Sequence, residues 1–355
     1  MTMLWLNLSL AYGFSVVARY FSRPSAVVPY VKPQPLLVFC VMASLVIIAG
    51  LRNNIGDTFF YMHSYKQHFF TWQNIDYTGD FGFNLFQMLL QQLSKDPQLL
   101  VFTTALITNV IIVLVLYYYT RWFEISIFVY ITGGMFLTSM NGIRQFMAAA
   151  ILFAATKFLL EGSFKKYMFV VLLAATVHKT ALILIPIYFM VRRKAWTWQT
   201  LVLLIAAIVI VAGFNQFSSI LFAVIEDTQY GGYSTFQEGG ANLIRVLVNA
   251  VPLLIAFWGR DTLAKAYVHS DIIVNMALLG FVFMLISTQN WIFARFSIYF
   301  GLYQLILISW IFQVFRDKDR KVVYYGIIIC YFIYYFYECV ISLGIEYKSD
   351  LLMLG

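Results

Sequence analysis

Apolar runs separated by short polar or basic stretches follow one another along almost the whole chain. Runs near the roughly 18–20 residues needed to cross a bilayer recur at 36–51 with its flanks, 99–119 and 321–343. Residues 3–20 open the series. No basic residue precedes them and no small-residue cleavage site follows, so they read as a first span rather than a signal peptide. No stretch remains to build a soluble domain, and no repeat of fixed period stands out. The pattern predicts an all-α, polytopic integral membrane protein with about ten full spans and roughly 10–14 membrane segments. Residues 1–355 read as a single transmembrane domain with external loops 52–96 and 226–242.

Orientation follows from the basic residues. Sixteen of the 24 Lys and Arg fall between spans, at Arg19 to Lys32, Arg121, Lys157 to Lys166, Arg192 to Lys194, Arg260 and Lys265, and Arg316 to Lys321. Such clusters mark cytoplasmic loops. One segment resists simple alternation. About 25 residues separate Lys166 from Arg192, both ends are basic, and two full spans need about 40 residues. A short re-entrant or broken helical hairpin, turning at His178-Lys179, satisfies both constraints; a single span with Arg192 to Lys194 outside is the alternative. Broken helices persist only where protein or a water-filled cavity covers them. In the first external loop, Phe59, Phe60, Tyr61, Tyr65, Phe69, Phe70, Trp72 and Tyr77 suit an amphipathic segment lying at the interface.

Composition agrees with lipid as the solvent. Hydrophobic residues make up 62% of the chain and charged residues 11%, with mean hydropathy +0.80, whereas soluble domains carry roughly a quarter of their residues as charge. The net charge of +8 is distributed between spans and not gathered into a nucleic-acid-binding patch. Cys40, Cys330 and Cys339 lie in apolar segments without disulfide or zinc spacing and read as core. Asp317-Lys-Asp319 imitates the acidic pair of metal-dependent glycosyltransferases, but in the most basic loop it reads as a solvated charge run. There is no Gly-rich phosphate loop, no His-Glu-x-x-His and no Gly-x-Ser-x-Gly. Neither a metal nor another cofactor is expected, and ATP-driven work is disfavoured.

The other eight basic residues are Arg52, Lys66, Lys95, Arg144, Lys179, Arg245, Arg295 and Lys348. Arg52, Arg144, Arg245 and Arg295 stand at or just inside the outer ends of spans, where a charge is costly enough to mark function. No acidic residue lies within four positions of Arg144, Arg245 or Arg295. A guanidinium fork matches phosphate oxygens, and Arg144 and Arg245 open helices whose dipoles favour an anion. An anionic ligand is the sharper reading; snorkelling, or pairing with a distant carboxylate, is the plainer one.

Three residues are candidates for proton transfer. Asp57 follows Gly56 at the end of a span, and its alternatives are a salt bridge to Arg52 or a bond to a sugar hydroxyl. His178 is the histidine placed inside an apolar segment; its alternative is a hydrogen-bonded core group. Glu338, in the outer half of the last span, is the third. The glycine- and aromatic-rich stretch 230–240 reads as a lid. Tyr230 and Tyr233 there, with Tyr61, Asn141 and Gln145, offer ring faces and polar groups to a glycan.

Arg52-x-x-x-Gly56-Asp57-Thr58-x-x-Tyr61, Asp80-Phe-Gly-Phe83, Asn141-Gly-Ile-Arg-Gln145, His178-Lys-Thr-Ala-Leu182 and Arg295-Phe-x-x-Tyr299 form an ordered set. It resembles the EpsG family, one of the Wzy-type polysaccharide polymerases, across nearly the whole chain. The resemblance implies a metal-independent membrane glycosyltransferase that polymerises undecaprenyl pyrophosphate-linked oligosaccharide repeats for exopolysaccharide or capsule. It would act at the outer face of the bacterial cytoplasmic membrane, with a chain-length regulator as a further partner. By the same resemblance, Arg144, Arg245 and Arg295, assisted by Arg52, would hold the pyrophosphate, and Asp57 or His178 would take the acceptor proton. Asp80 stands where many members carry glutamate, which leaves that position without an assigned role. The alternatives are a flippase for the same glycan, which should line both leaflets with charge, and a membrane glycan ligase or acyltransferase.

Overall fold

The computed structural model describes residues 1–77, 79–225 and 239–352. Helices α1 (Thr2–Tyr20) and α2 (Pro35–Gly50) are joined through a small antiparallel hairpin, β1 (Arg23–Pro24) with β2 (Val31–Lys32). Two short helices, α3 (Thr58–Gln67) and α4 (Phe81–Leu93), precede the long α5 (Gln98–Tyr119). A broken run follows: α6 (Phe123–Thr132), α7 (Met135–Asn141), α8 (Ile143–Ala154) and α9 (Thr156–Glu161). Next come α10 (Phe164–Val177), a 3-10 turn (Lys179–Ile183) and α11 (Leu184–Val191), then α12 (Trp198–Ala212) and α13 (Phe214–Ile225). The C-terminal part holds α14 (Leu243–Trp258), α15 (Arg260–Ala266), α16 (Ser270–Ile286), α17 (Ala294–Trp310) and α18 (Arg320–Phe336), which runs into a π-helical turn (Tyr337–Ser342).

The core lies on α6, α8, α16 and α17. Every residue of α6 is buried, Glu124 included. Between α16 and α17, Gly280 meets Gly301 so closely that a Cβ would sit 3.3 Å from the Gly301 nitrogen. Such small-residue contacts bring helices together where no hydrophobic force separates protein from lipid. Phe283 stacks on Phe300 and Phe296 beside this contact. Large apolar side chains on α12, α14 and α18, among them Leu201, Ile208, Leu254, Trp258, Ile329 and Ile333, are instead exposed. In water such a surface would drive aggregation; in a bilayer it is the solvated face. The chain is an integral membrane protein.

Among the described residues, three helical stretches are long and apolar enough to cross a bilayer, Gln98–Tyr119, Trp291–Val314 and Arg320–Ser342, and three bent pairs raise the number to six. The expectation of about ten full spans is therefore not confirmed among the described residues. The apolar runs are present, but the backbone breaks them: α6 and α7 meet at 53° across Gly133 and Gly134, α12 and α13 at 94° across Gly213, and α14 and α15 at 83° across Gly259. Gly134 sits at φ 86°, a conformation that side chains with a Cβ resist.

The segment between Lys166 and Arg192 is a hairpin. α10 and α11 are antiparallel, since rings at the start of one meet rings at the end of the other: Phe164 to Tyr188 at 5.3 Å, Tyr167 to Tyr188 at 5.3 Å. At the foot, Arg192 donates to the carbonyl of Leu159. At the tip, His178 takes an extended conformation (φ −153°, ψ 114°) and ends α10. Basic loops gather at the end of the molecule that holds the hairpin foot. There Trp310 Nε1 donates to the Tyr119 carbonyl at 2.9 Å, Arg320 Nε to the Phe312 carbonyl at 3.0 Å, and Trp122 stacks on Phe312 at 4.7 Å. With Lys166→Cys and Arg193→Cys introduced separately, a membrane-impermeant thiol reagent is expected to label both from the same side, and Asn53→Cys from the opposite side. Labelling of Lys166→Cys and Arg193→Cys from different sides would make the segment a crossing helix.

Candidate active site

Opposite the basic end, a cavity of about 860 Å³ opens among α3, α7, α8, α14, α17, α18 and the hairpin tip. Arg144, Lys179, Arg245 and Arg295 line it, as do Asp57, Asp80, Glu338 and His178. These charges lie far apart in sequence. Breaks in helices bring them together: the His178 break, the Gly142 junction of α7 and α8, the 3-10 turn Trp291–Phe293 before α17, and the π turn after α18.

Asp80 is the centre of the polar wall. Its Oδ2 accepts from His178 Nδ1 at 2.9 Å and from Arg144 Nη1 at 3.1 Å, and its Oδ1 accepts the Lys179 backbone N–H at 3.0 Å. The carboxylate is buried, with only 6% of the residue exposed. Burial raises its pKa, but the His178 hydrogen bond and charge, the Lys179 N–H and the Arg144 charge outweigh that effect and hold it below the ordinary value. The motif around it has a packing reason. Gly82 abuts Thr176 of α10, where a Cβ would lie 2.7 Å from the threonine Cβ, and Phe83 is buried beside Tyr61. A side chain at position 82 would lift α4 off the hairpin and draw Asp80 from His178. Because a carboxylate only accepts, His178 Nδ1 carries the proton of their bond, so in the neutral ring Nε2 is the acceptor nitrogen.

The other expected residues divide. Arg144 Nε reaches the Tyr61 hydroxyl at 3.4 Å. Gln145 Nε2 donates to the Arg295 carbonyl at 2.7 Å, and the Arg295 guanidinium lies 4.7 Å from the Trp291 ring centre. Asn141 Oδ1 accepts the Asp57 N–H at 2.9 Å, and Gly56 (φ 55°) leaves no room for a Cβ against Asn141. The Asp57 carboxylate makes no hydrogen bond or ion pair among the described residues, so the alternative of a bridge to Arg52 is not observed. Tyr230 and Tyr233 lie outside the described residues.

One arginine expectation is corrected, and for a second the plainer alternative of a distant carboxylate is observed. Arg52 is not in the cavity. It is 1% exposed, and its donors go to Thr58 Oγ1 (3.0 Å), the Met140 carbonyl (2.6 Å) and the Ala49 carbonyl. It pins the loop after α2 to the end of α7 and is buried away from the cavity. Arg245 lines the cavity but does have an acidic partner, Glu338, 93 positions away, reached by Nε at 2.7 Å and by Nη2. Local spacing could not reveal a partner on another helix. Asp80 is the residue that sequence reasoning left without a role; its signal is an acid directly before an aromatic and the contact glycine Gly82.

A model of the EpsG family matches residues 36–349. No curated protein and no solved structure matches the chain.

Asp80→Asn removes the charge that three donors share and is expected to lower stability by about 1.5–3 kcal/mol, read as thermal melting in detergent. Since the folded pKa of Asp80 is lowered, its contribution is full above the ordinary carboxylate range and is lost as pH falls through the lowered value. The difference between the variant and the parent should therefore close in strong acid; a constant difference would place the effect elsewhere.

Proposed function

This chain belongs to the EpsG family, and we propose that it polymerises lipid-linked oligosaccharide repeats, transferring a glycan from a polyprenyl pyrophosphate donor to a hydroxyl of a second repeat. Family membership is associated with a membrane polysaccharide-polymerase role. The observation that carries the finer reading is the wall on which Asp80 orients His178 beside Arg144, within a cavity also lined by Arg245 and Arg295.

The chemistry follows from the roles these groups suit. The acceptor oxygen attacks the anomeric carbon, the bond from that carbon to the pyrophosphate oxygen breaks, and the hydroxyl proton passes to His178 Nε2. Asp80 holds the ring in the competent tautomer and stabilises the imidazolium that forms. Negative charge grows on the departing pyrophosphate, and Arg144, Arg295 and Lys179 meet it without reorganising. The Asp57 carboxylate, on the same cavity, suits a sugar hydroxyl as donor. Tyr61, Asn141 and Gln145 border the glycan space.

A cavity at the end opposite the basic loops supports a reaction at the outer leaflet of the cytoplasmic membrane. It also favours transfer over transport. A flippase needs charge along both leaflets, whereas these charges converge on one end.

His178→Gln is expected to lower polymer formation about 10²–10⁴-fold, and Arg295→Ala about 10²–10³-fold, with single lipid-linked repeats accumulating outside. Glycan chain length in producing cells, with protein levels measured in parallel, is the readout. Long chains from both variants would overturn the site; repeats accumulating inside would point to a flippase.

A further inference from the structure

α14 and α18 both line the cavity with their inner faces, yet among the described residues they do not pack directly along their lengths. At the basic end they converge on the segment after α17: the Trp258 ring meets Phe315 at 5.9 Å, and Arg320 Nε donates to the Phe312 carbonyl. At the cavity end two side-chain links join them, Arg245 to Glu338 and Asn242 Nδ2 to the Tyr337 hydroxyl at 2.9 Å. The seam is thus tied at one end and latched at the other. Outward it is flanked by exposed Leu247, Val251 and Leu254 on α14 and Ile329 and Ile333 on α18.

The latch is half made. Arg245 directs both Nε and Nη2 to Glu338 Oε1, while Oε2 is buried with no hydrogen-bond partner. A carboxylate and guanidinium paired side by side would use both oxygens, and an unsatisfied buried acceptor is costly. The π turn creates this arrangement. Leu343 N–H bonds the Glu338 carbonyl five residues back at 3.0 Å, and the widened turn is a feature that recurs at functional sites.

We infer that the α14–α18 seam is a lateral opening that admits a polyprenyl-linked phosphate from the bilayer, and that the Arg245–Glu338 pair is its latch. The inference rests on the polymerase reading for its substrate class. A diphosphate offers Arg245 more oxygens than the single one it now uses. Exchange of that partner frees the cavity end of the seam, and the lipid chain lies in the apolar channel between the two helices while its headgroup occupies the cavity.

Asn242→Cys and Tyr337→Cys, combined with Cys330→Ser and Cys339→Ala, allow the seam to be bridged by a bis-methanethiosulfonate linker and reopened with dithiothreitol. The probe is a polyprenyl diphosphate bearing a photoactivatable group on its chain. Bridging is expected to reduce photolabelling of the full-length protein in membranes at least tenfold, and dithiothreitol to restore it. Equal labelling of bridged and open protein, or no labelling of open protein, overturns the opening. Labelling that bridging abolishes, in a protein that makes no polymer, keeps the opening and overturns the polymerase reading. Glu338→Gln, with the native cysteines intact, supplies the second measurement: weakening the latch should raise the labelling rate severalfold, and an unchanged or lower rate counts against it.

Discussion

A carboxylate withdrawn from water must be met by donors, and the candidate site is organised around one such demand. Asp80 receives a ring N–H from His178, a backbone N–H from Lys179 and a guanidinium N–H from Arg144. The first two come from the tip of the hairpin, where the helix has stopped and its amides would otherwise lack partners. The third comes from the first turn of α8. One side chain at the start of α4 therefore holds the hairpin tip and the α7–α8 junction to the same wall. Each buried charge is tolerable because the others are present, and separating them would expose all of them to the same desolvation cost.

The four arginines at this end illustrate how one residue type takes on different tasks. Arg52 is consumed by carbonyls and serves as a rivet between α2 and α7. Arg144 shares a carboxylate with a histidine. Arg245 bridges two helices through a single carboxylate oxygen. Arg295 opens α17 beside an indole face and a glutamine that steadies its carbonyl. Burial and available acceptors set these differences, and neither is visible in spacing along the chain.

That division explains what could be read before the fold was seen. The hairpin was legible because it follows from arithmetic: two basic ends, too few residues for two crossings, and a break at His178. The convergence of embedded charge on one end was legible for the same reason, since the basic loops account for the rest. The number of full spans was not, because several apolar runs form helices too short to cross, such as α2, α8 and α16, while others turn at Gly134, Gly213 and Gly259. Arg245 has no acid within four positions, and its partner Glu338 stands in the turn that ends the last helix. Asp80 was hardest to place. A polar residue in a loop gives no hint of burial until Gly82 and Thr176 bring α4 onto the hairpin.

The hairpin returns to the side from which it came, and this bears on where the chemistry takes place. Its foot is held by Arg192 and its tip by Asp80, with the 14 residues of α10 between them. At ~1.5 Å per residue that is about 21 Å of rigid helix. The distance between foot and tip is thus set by a protein rod, independent of lipid thickness. A bilayer that thickens or thins shifts its headgroups past the site, while His178 keeps its level relative to the rest of the fold.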